Sequence, residues 1–280
     1  MNNVRRSAGA AGAKVLLLDI GNSRLKWALL REPYRRAQRF LAQGTLELEQ
    51  LAGRGVALQR LIAKLGPIAG IEACNVAGAV IERRVRKIAR SAGVAAPNFA
   101  RSTHAAAGIR NRYAQPWRLG TDRWAALIGA HAEHPGRALC LVAVGTAMTV
   151  DLIDAQGRHR GGHIIPAPRL MIESLLERTA GIRRRAGGRS AASTLGTGPI
   201  RLFASDTRHA VTAGASHAAA ALVSESLRAA RALLGRTPSL ILSGGAADTV
   251  APLLREPHRR ENDLALRGLA VLRSARMHLA

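Results

Sequence analysis

The sequence predicts an α/β protein with mixed or parallel sheets under helical cover, and three observations carry that reading. Short apolar runs of strand length alternate with stretches of helical periodicity. A strand, a polar turn and a returning strand, VLLLDIGNSRLKWALL at Val15 to Leu30, recur in kind at Leu139 to Asp154. The chain's 280 residues suffice for two domains of ordinary size or one large one.

In order, Val15 to Ile20 is apolar except at Asp19, Gly21-Asn22-Ser23 turns the chain, and Leu25, Trp27 and Leu29 climb back out as a second strand. A plain hairpin needs only Asn-Gly or Asp-Gly at its tip, so this one carries extra polar groups. Gly44-Thr45-Leu46 starts another short strand, Leu48 to Leu65 reads as an amphipathic helix, and Ile68 to Val76 as a buried strand. Ala79 to Ala92 sets Val80, Ile81, Val85 and Ile88 at helical spacing and turns Arg83, Arg84, Arg86 and Lys87 mostly outward. After a loop over Asn111 to Pro116, Gly120 to Ala132 is helical. Leu139 to Val144 is a buried strand that turns at Gly145-Thr146 into Met148 to Ile153, and beyond Gly157 a third strand spans Gly161 to Ile165.

Composition narrows the function classes. Hydrophobic residues make up 48%, yet no segment reaches the roughly 18 consecutive apolar residues of a membrane helix. Residues 1–13 read as a frayed leader, because Lys14 interrupts them before any signal-type apolar core develops. Cys74 and Cys140 each lie alone in an apolar stretch, which suits buried thiols in a reducing compartment and places the protein in the cytoplasm. The net charge of +24 invites an anionic partner, but only four of the 42 basic residues are Lys, and an Arg and Ala excess is also what codon bias in a GC-rich genome produces. Aromatics at 3% argue against base-stacking platforms for nucleic acid.

The two turns are the chemical signal. A tight turn with inward backbone N–H groups cradles anions, and glycine permits the close approach a phosphate needs. Ser23, Thr146 and Thr149 add hydroxyls, and Asp19 at a strand end offers an oxygen ligand to Mg²⁺. An ordinary hairpin explains the first turn alone equally well. No G-x-x-x-x-G-K-[ST] motif and no G-x-S-x-G elbow is present, and Gly196-Thr197-Gly198 lacks the third glycine of a dinucleotide fingerprint. His159 and His163 have no Cys or carboxylate partner at zinc-ligand spacing. In the middle of the chain, Tyr113, Asp122 and Arg123 offer an aromatic hydroxyl, a base and a cation, with Asp122 near a helix start where a simple cap would also fit.

Five stretches then carry a resemblance. DIGNSRLKWA (Asp19 to Ala28), YAQPWRLGTDRW (Tyr113 to Trp124), GTAMTVDLIDAQGRHRGGHIIP (Gly145 to Pro166), TRHAVTAG (Thr207 to Gly214) and LSGGAA (Leu242 to Ala247) resemble, in this order, the type III pantothenate kinases, also known as Bvg accessory factor proteins. The resemblance implies an acetate and sugar kinase/Hsp70/actin-like fold of two duplicated ribonuclease-H-like domains, expected over 14–117 and 118–280, with ATP in the cleft and a homodimer. It implies Asp19 in the Mg²⁺ and phosphate machinery; Gly21, Asn22, Ser23 and Lys26 in a first phosphate loop; Gly145, Thr146 and Thr149 in a second; and Gly244 and Gly245 beside the nucleotide. Tyr113, Gly120, Thr121, Asp122 and Arg123 match the pantothenate pocket, with Asp122 as the base. Thr207 matches a threonine that reaches the substrate from the partner subunit.

Four positions depart from the family pattern. Ser23 replaces the usual Thr and keeps the hydroxyl. Ala143 stands where some members carry an Asp, so the K⁺ or NH₄⁺ site implied there lacks a carboxylate and activation is expected to be weak or absent. Ala167 follows Pro166 where Gly is common, and Ala246 replaces a frequent acidic residue. The expected function is ATP-dependent phosphorylation of pantothenate to 4′-phosphopantothenate in coenzyme A biosynthesis. Two other readings stay open: an accessory regulatory protein using its Arg-rich surface, Arg183-Arg184-Arg185 included, and a sugar or amino-sugar kinase of the same superfamily.

Overall fold

A computed structural model describes residues 12–52, 55–188 and 200–278. Residues 1–11 of the expected leader and the Gly196-Thr197-Gly198 segment lie outside the described residues, while Gly12 and Ala13 bond the Glu32 backbone. The chain first lays down β1 (Lys14–Ile20), β2 (Arg24–Arg31), β3 (Ala42–Glu47), α1 (Leu48–Ala52), α2 (Val56–Leu65), β4 (Gly70–Asn75), α3 (Ala79–Ser91) and β5 (Asn98–Phe99). A small pair, β6 (Ala105–Ala106) and β7 (Ile109–Arg110), precedes α4 (Thr121–Glu133). β1, β2 and β3 form an antiparallel meander, β4 joins β1 in parallel, and β5 joins β4, giving the order β3-β2-β1-β4-β5.

The same plan is then built a second time. β8 (Leu139–Val144), β9 (Ala147–Ile153) and β10 (His159–Pro166) form the meander; α5 (Pro168–Arg178), α6 (Ala180–Arg185) and α7 (Thr207–Leu234) follow; β11 (Ser239–Ser243) and β12 (His258–Arg260) add in parallel beside β8. The order β10-β9-β8-β11-β12 repeats that of the first sheet strand for strand. The duplication inferred from two hairpins therefore extends to whole mixed sheets. The chain ends on α8 (Leu264–Met277).

Packing contacts divide the molecule into two compact units, Met1–Pro135 with Leu264–Ala280, and Gly136–Asp263. The boundary thus falls after Pro135 rather than near 117, and the last helix returns to the first unit, where the sequence reading had put 118–280 together. Two glycines explain how α8 docks. A Cβ on Gly268 would lie 1.8 Å from the Ala125 carbonyl oxygen, and one on Gly129 would lie 2.1 Å from that of Leu264, so α4 and α8 cross backbone against backbone. Side-chain charge fastens the far end. Arg273 forks onto Glu32 at 2.6 and 3.1 Å and reaches Glu72 at 3.1 Å, and Arg276 also bonds Glu72. Glu32 and Glu72 are buried, so these arginines satisfy carboxylates that would otherwise be costly to bury.

Two expectations change in detail. The helix foreseen over Leu48 to Leu65 is two helices, because Gly55 adopts a left-handed φ of 69° before α2. On α3, Arg84 donates to the Leu51 carbonyl, while Arg86 bonds Glu82 and the Pro97 carbonyl and lies over the Phe99 ring. Half of the foreseen outward basic face is therefore spent on internal contacts.

Alanine normally improves a helix over glycine by about 1 kcal/mol. At the crossing, Gly268→Ala should instead lower the melting temperature, since overpacking costs about 1–3 kcal/mol. Gly181→Ala in α6, where a Cβ would meet only the flexible end of Arg185 at 3.5 Å, should not lower it. Paired thermal melts check both.

Candidate active site

Strand parity builds the site in the first unit. Leu16, Leu18 and Ile20 of β1 pack with Leu58 and Ile62 of α2 and Val85 and Ile88 of α3. The alternate residues, Val15 and Leu17, pack with Ala125 of α4 and with Leu266 and Leu269 of α8. Asp19 continues that second row, so its carboxylate emerges on the α4 face at the carboxyl end of β1. Register puts Lys26 of β2 on one side of it and Cys74 of β4 on the other. The Cys74 thiol donates to Asp19 Oδ1 at 3.2 Å.

The start of α4 is brought to the same strand ends. Thr121 Oγ1 donates to the Asn75 carbonyl and accepts from the Asn75 N–H, both at 3.3 Å, which clasps the first turn of α4 to the end of β4. Asp122 follows as the second residue of the helix, not as its cap, which is Gly120. Its Oδ1 accepts the Arg123 N–H at 2.8 Å and lies 2.6 Å from where a Gly120 Cβ would sit, so any larger residue at position 120 would displace this carboxylate. Arg123, 7% exposed as a residue, donates from its guanidinium to the Tyr113 hydroxyl at 3.2 Å and approaches its ring. Tyr113 is itself anchored by its N–H on Asn111 Oδ1. Burial first, then the charges of Asp19 and Asp122, push the Cys74 thiol well above the usual thiol range. Both carboxylates therefore act on one buried atom.

The hairpin tips differ in detail. Between β1 and β2 the Gly21 N–H bonds the Arg24 carbonyl at 2.9 Å, leaving Asn22 and Ser23 exposed at the tip. Between β8 and β9 the Gly145 N–H bonds the Ala147 carbonyl at 2.9 Å, and Thr146 is exposed. In this second unit Gly244, at φ +91°, packs so tightly on β8 that a Cβ would lie 2.2 Å from the Val144 carbonyl oxygen. The Ala246 N–H bonds that same carbonyl, and Gly245 is exposed beside it. Gly244 and Gly145 are thus brought together at the end of β8. By duplication Ala143 occupies the place of Asp19, flanked in register by Thr149 and Ser243 instead of Lys26 and Cys74. The carboxylate at this place belongs to the first unit alone.

Comparison with known proteins now bears on this geometry. A family model described as type III pantothenate kinase matches residues 15–229. The chain belongs to the type III pantothenate kinases. The relative from Verminephrobacter eiseniae named type III pantothenate kinase is 36% identical over 273 residues, 95% of this chain and 99% of that one. The one from Burkholderia thailandensis is 36% identical over 261 residues, covering 92% and 96%. Among solved structures, a conserved Baf family protein from Campylobacter jejuni aligns with a TM-score of 0.54 at 16% identity, over 94% of this chain and 98% of the other. MreB5 of Spiroplasma citri bound to ADP aligns at 0.53 and 10% identity, over 95% and 97%. At such identities the likeness is one of fold, and that fold is the actin/Hsp70/sugar-kinase one.

Thr207 stands on a different element, at the first turn of α7. It lines a groove of about 750 Å³ with Met171 and Leu175 of α5, Ile182 of α6, and Ala210 and Val211 of α7. Asp206 caps that helix, accepting from the His209 N–H at 3.0 Å. His159 proves to be a structural residue whose Nε2 meets Asp151 Oδ1 at 3.0 Å, both buried. Cys74 and Asn75 are what the sequence reading missed as site residues. Cys74 showed only as an apolar-strand thiol, and nothing but strand register reveals its neighbour.

Burial, then the Asp151 charge, pushes the Cys140 thiol up to about 12. Both cysteines should therefore resist alkylation in the native protein at about pH 8 and react fully after unfolding, as read by intact mass. Because unfolded thiols ionise first, the stability these protonated groups lend is full below pH 9 and declines as pH rises through 9.0 toward 12.

Proposed function

We propose that the protein transfers the γ-phosphoryl group of ATP to the primary hydroxyl of pantothenate, giving 4′-phosphopantothenate, the opening reaction of coenzyme A biosynthesis. Family membership supports the activity. The observation that supports the residue roles is the placing of both carboxylates at the carboxyl ends of β1 and β4, Asp19 by its bond from Cys74 and Asp122 by the clasp of the neighbouring Thr121 on Asn75, with Arg123 bonded to Tyr113.

Phosphoryl transfer asks the protein mainly for in-line positioning and charge neutralisation. Asp122 takes the proton of the attacking hydroxyl. Its place in the first turn of α4 sets the carboxylate at the positive end of the helix dipole. Arg123 is a buried cation held by Tyr113, and the pair orients the polar acceptor, itself an anion. Lys26, in register with Asp19, supplies positive charge on the phosphate side. The Gly21 and Gly145 N–H groups close the two turns, and the backbone N–H groups of Asn22, Ser23 and Thr146 at the tips serve as phosphate donors, with Thr149 and the Gly244-Gly245 turn in support. Mg²⁺ brought with ATP draws most of its ligands from water and phosphate and needs one or two carboxylates. Asp19 fits that demand as a half-buried carboxylate at a strand end. Bound there, the metal would neutralise charge on the transferring phosphate.

The reading includes a homodimer. Leu202 and Phe203, 60% and 90% exposed, adjoin the segment that lines the apolar groove at Thr207, and apolar exposure of this kind suits a partner surface. With Ala143 in place of a carboxylate, K⁺ or NH₄⁺ activation is weak or absent. Cytoplasmic location fits two buried thiols, and among the described residues no helix is long and apolar enough to cross a membrane.

Incubation with Mg·ATP and pantothenate should yield 4′-phosphopantothenate by mass spectrometry; absence of product across nucleoside triphosphates with K⁺ or NH₄⁺ present would overturn the assignment. Asp122→Asn should cut turnover by about 10²–10⁴ while pantothenate still binds by calorimetry. Near-normal turnover in that variant would leave Asp122 with only a helix-stabilising role.

A further inference from the structure

We propose that Cys74 is a positioning residue for the phosphate side of the reaction: its thiol holds the Asp19 carboxylate in the orientation that receives the metal. The proposal rests on the assignment of Asp19 given above. Three observations carry it. Asp19 and Cys74 are register partners on adjacent parallel strands, so the contact is fixed by the sheet rather than by a flexible loop. The thiol is fully buried and donates to one specific oxygen, Oδ1, at 3.2 Å. The next residue, Asn75, holds the start of α4 through both of its backbone groups, so the end of β4 sets the Asp19 side chain and the backbone beside Asp122 from two successive residues.

The choice of thiol has a physical logic. A carboxylate that must hold a cation is weakened by a strong or charged donor and left to rotate by none. A buried S–H is a weak donor and withdraws little charge from the acceptor. It therefore fixes the carboxylate torsion while drawing little on the charge that attracts the metal. Cys74 acts only through Asp19.

The test uses the full-length protein and Mn²⁺ as the probe. Free Mn²⁺ measured by electron paramagnetic resonance gives the affinity for Mn²⁺ with a non-hydrolysable ATP analogue, independently of turnover. Loss of a partner that orients a metal ligand costs about 10–100-fold in affinity. Cys74→Ala should sit at the low end, weakening the Mn²⁺–nucleotide complex about tenfold. The Michaelis constant for ATP should rise with it and that for pantothenate stay in place, whereas Cys74→Ser, which keeps a donor, should recover most of the affinity. Normal Mn²⁺–nucleotide affinity in Cys74→Ala would overturn the proposal, as would equal losses for ATP and pantothenate, or Ser and Ala variants that behave alike. Asp19→Asn is the separate control. If it binds Mn²⁺ and nucleotide normally, the metal-side assignment of Asp19 fails first; if it loses them and Cys74→Ala does not, only the role of Cys74 fails.

Discussion

The side-chain alternation of one strand is the constraint on which the first unit depends. β1 is buried on both faces, so each of its residues must serve one helical layer or the other, and a shift of one position would exchange the two rows. Asp19 belongs to the row that faces α4 and α8. It escapes full burial because the strand ends there, and its neighbours in register are Lys26 and Cys74. The clasp of Thr121 on Asn75 then delivers Asp122 to the same edge. The place of these carboxylates at the carboxyl ends of the strands is thus a consequence of packing at their middles.

The helix pair α4 and α8 does the complementary work. Gly129 and Gly268 let the two backbones touch, and the arginines of α8 close over Glu32 and Glu72. The last helix of the chain thereby supports the helix that carries Asp122. That arrangement explains why the first unit takes in residues from both ends of the sequence. It also explains why a division by sequence position alone misplaces both helices.

Much of the fold was legible in the sequence, and so were the residues of the proposed site. Residues Val15 to Leu30 and Leu139 to Asp154 showed the same strand–turn–strand pattern, and that pattern anticipated two sheets of identical order. Asp19 stood out as a charge interrupting an apolar run, whereas Asp122 and Arg123 took their roles from the resemblance, since a helix start alone would explain a carboxylate at 122. What stayed hidden required register or a third dimension. Cys74 looks like any buried thiol until β4 is laid beside β1. Gly129 and Gly268 lie far apart in sequence, so their joint role has no local signature. The break at Gly55 turned on one left-handed residue inside an otherwise periodic run. The exchange of Asp19 for Ala143 between the halves was visible as letters, but its meaning depends on both residues holding the same place in equivalent sheets.

The central claim is that Asp19 and Asp122 divide the labour, one on the metal side and one at the acceptor hydroxyl. Paramagnetic relaxation measures that most directly. With Mn²⁺, ADP and pantothenate bound, the proton relaxation of pantothenate should be enhanced most at the hydroxymethyl group and fade toward the carboxylate, and Asp19→Asn should abolish the effect while Asp122→Asn preserves it. Relaxation strongest at the carboxylate end, or unchanged in Asp19→Asn, would contradict the account.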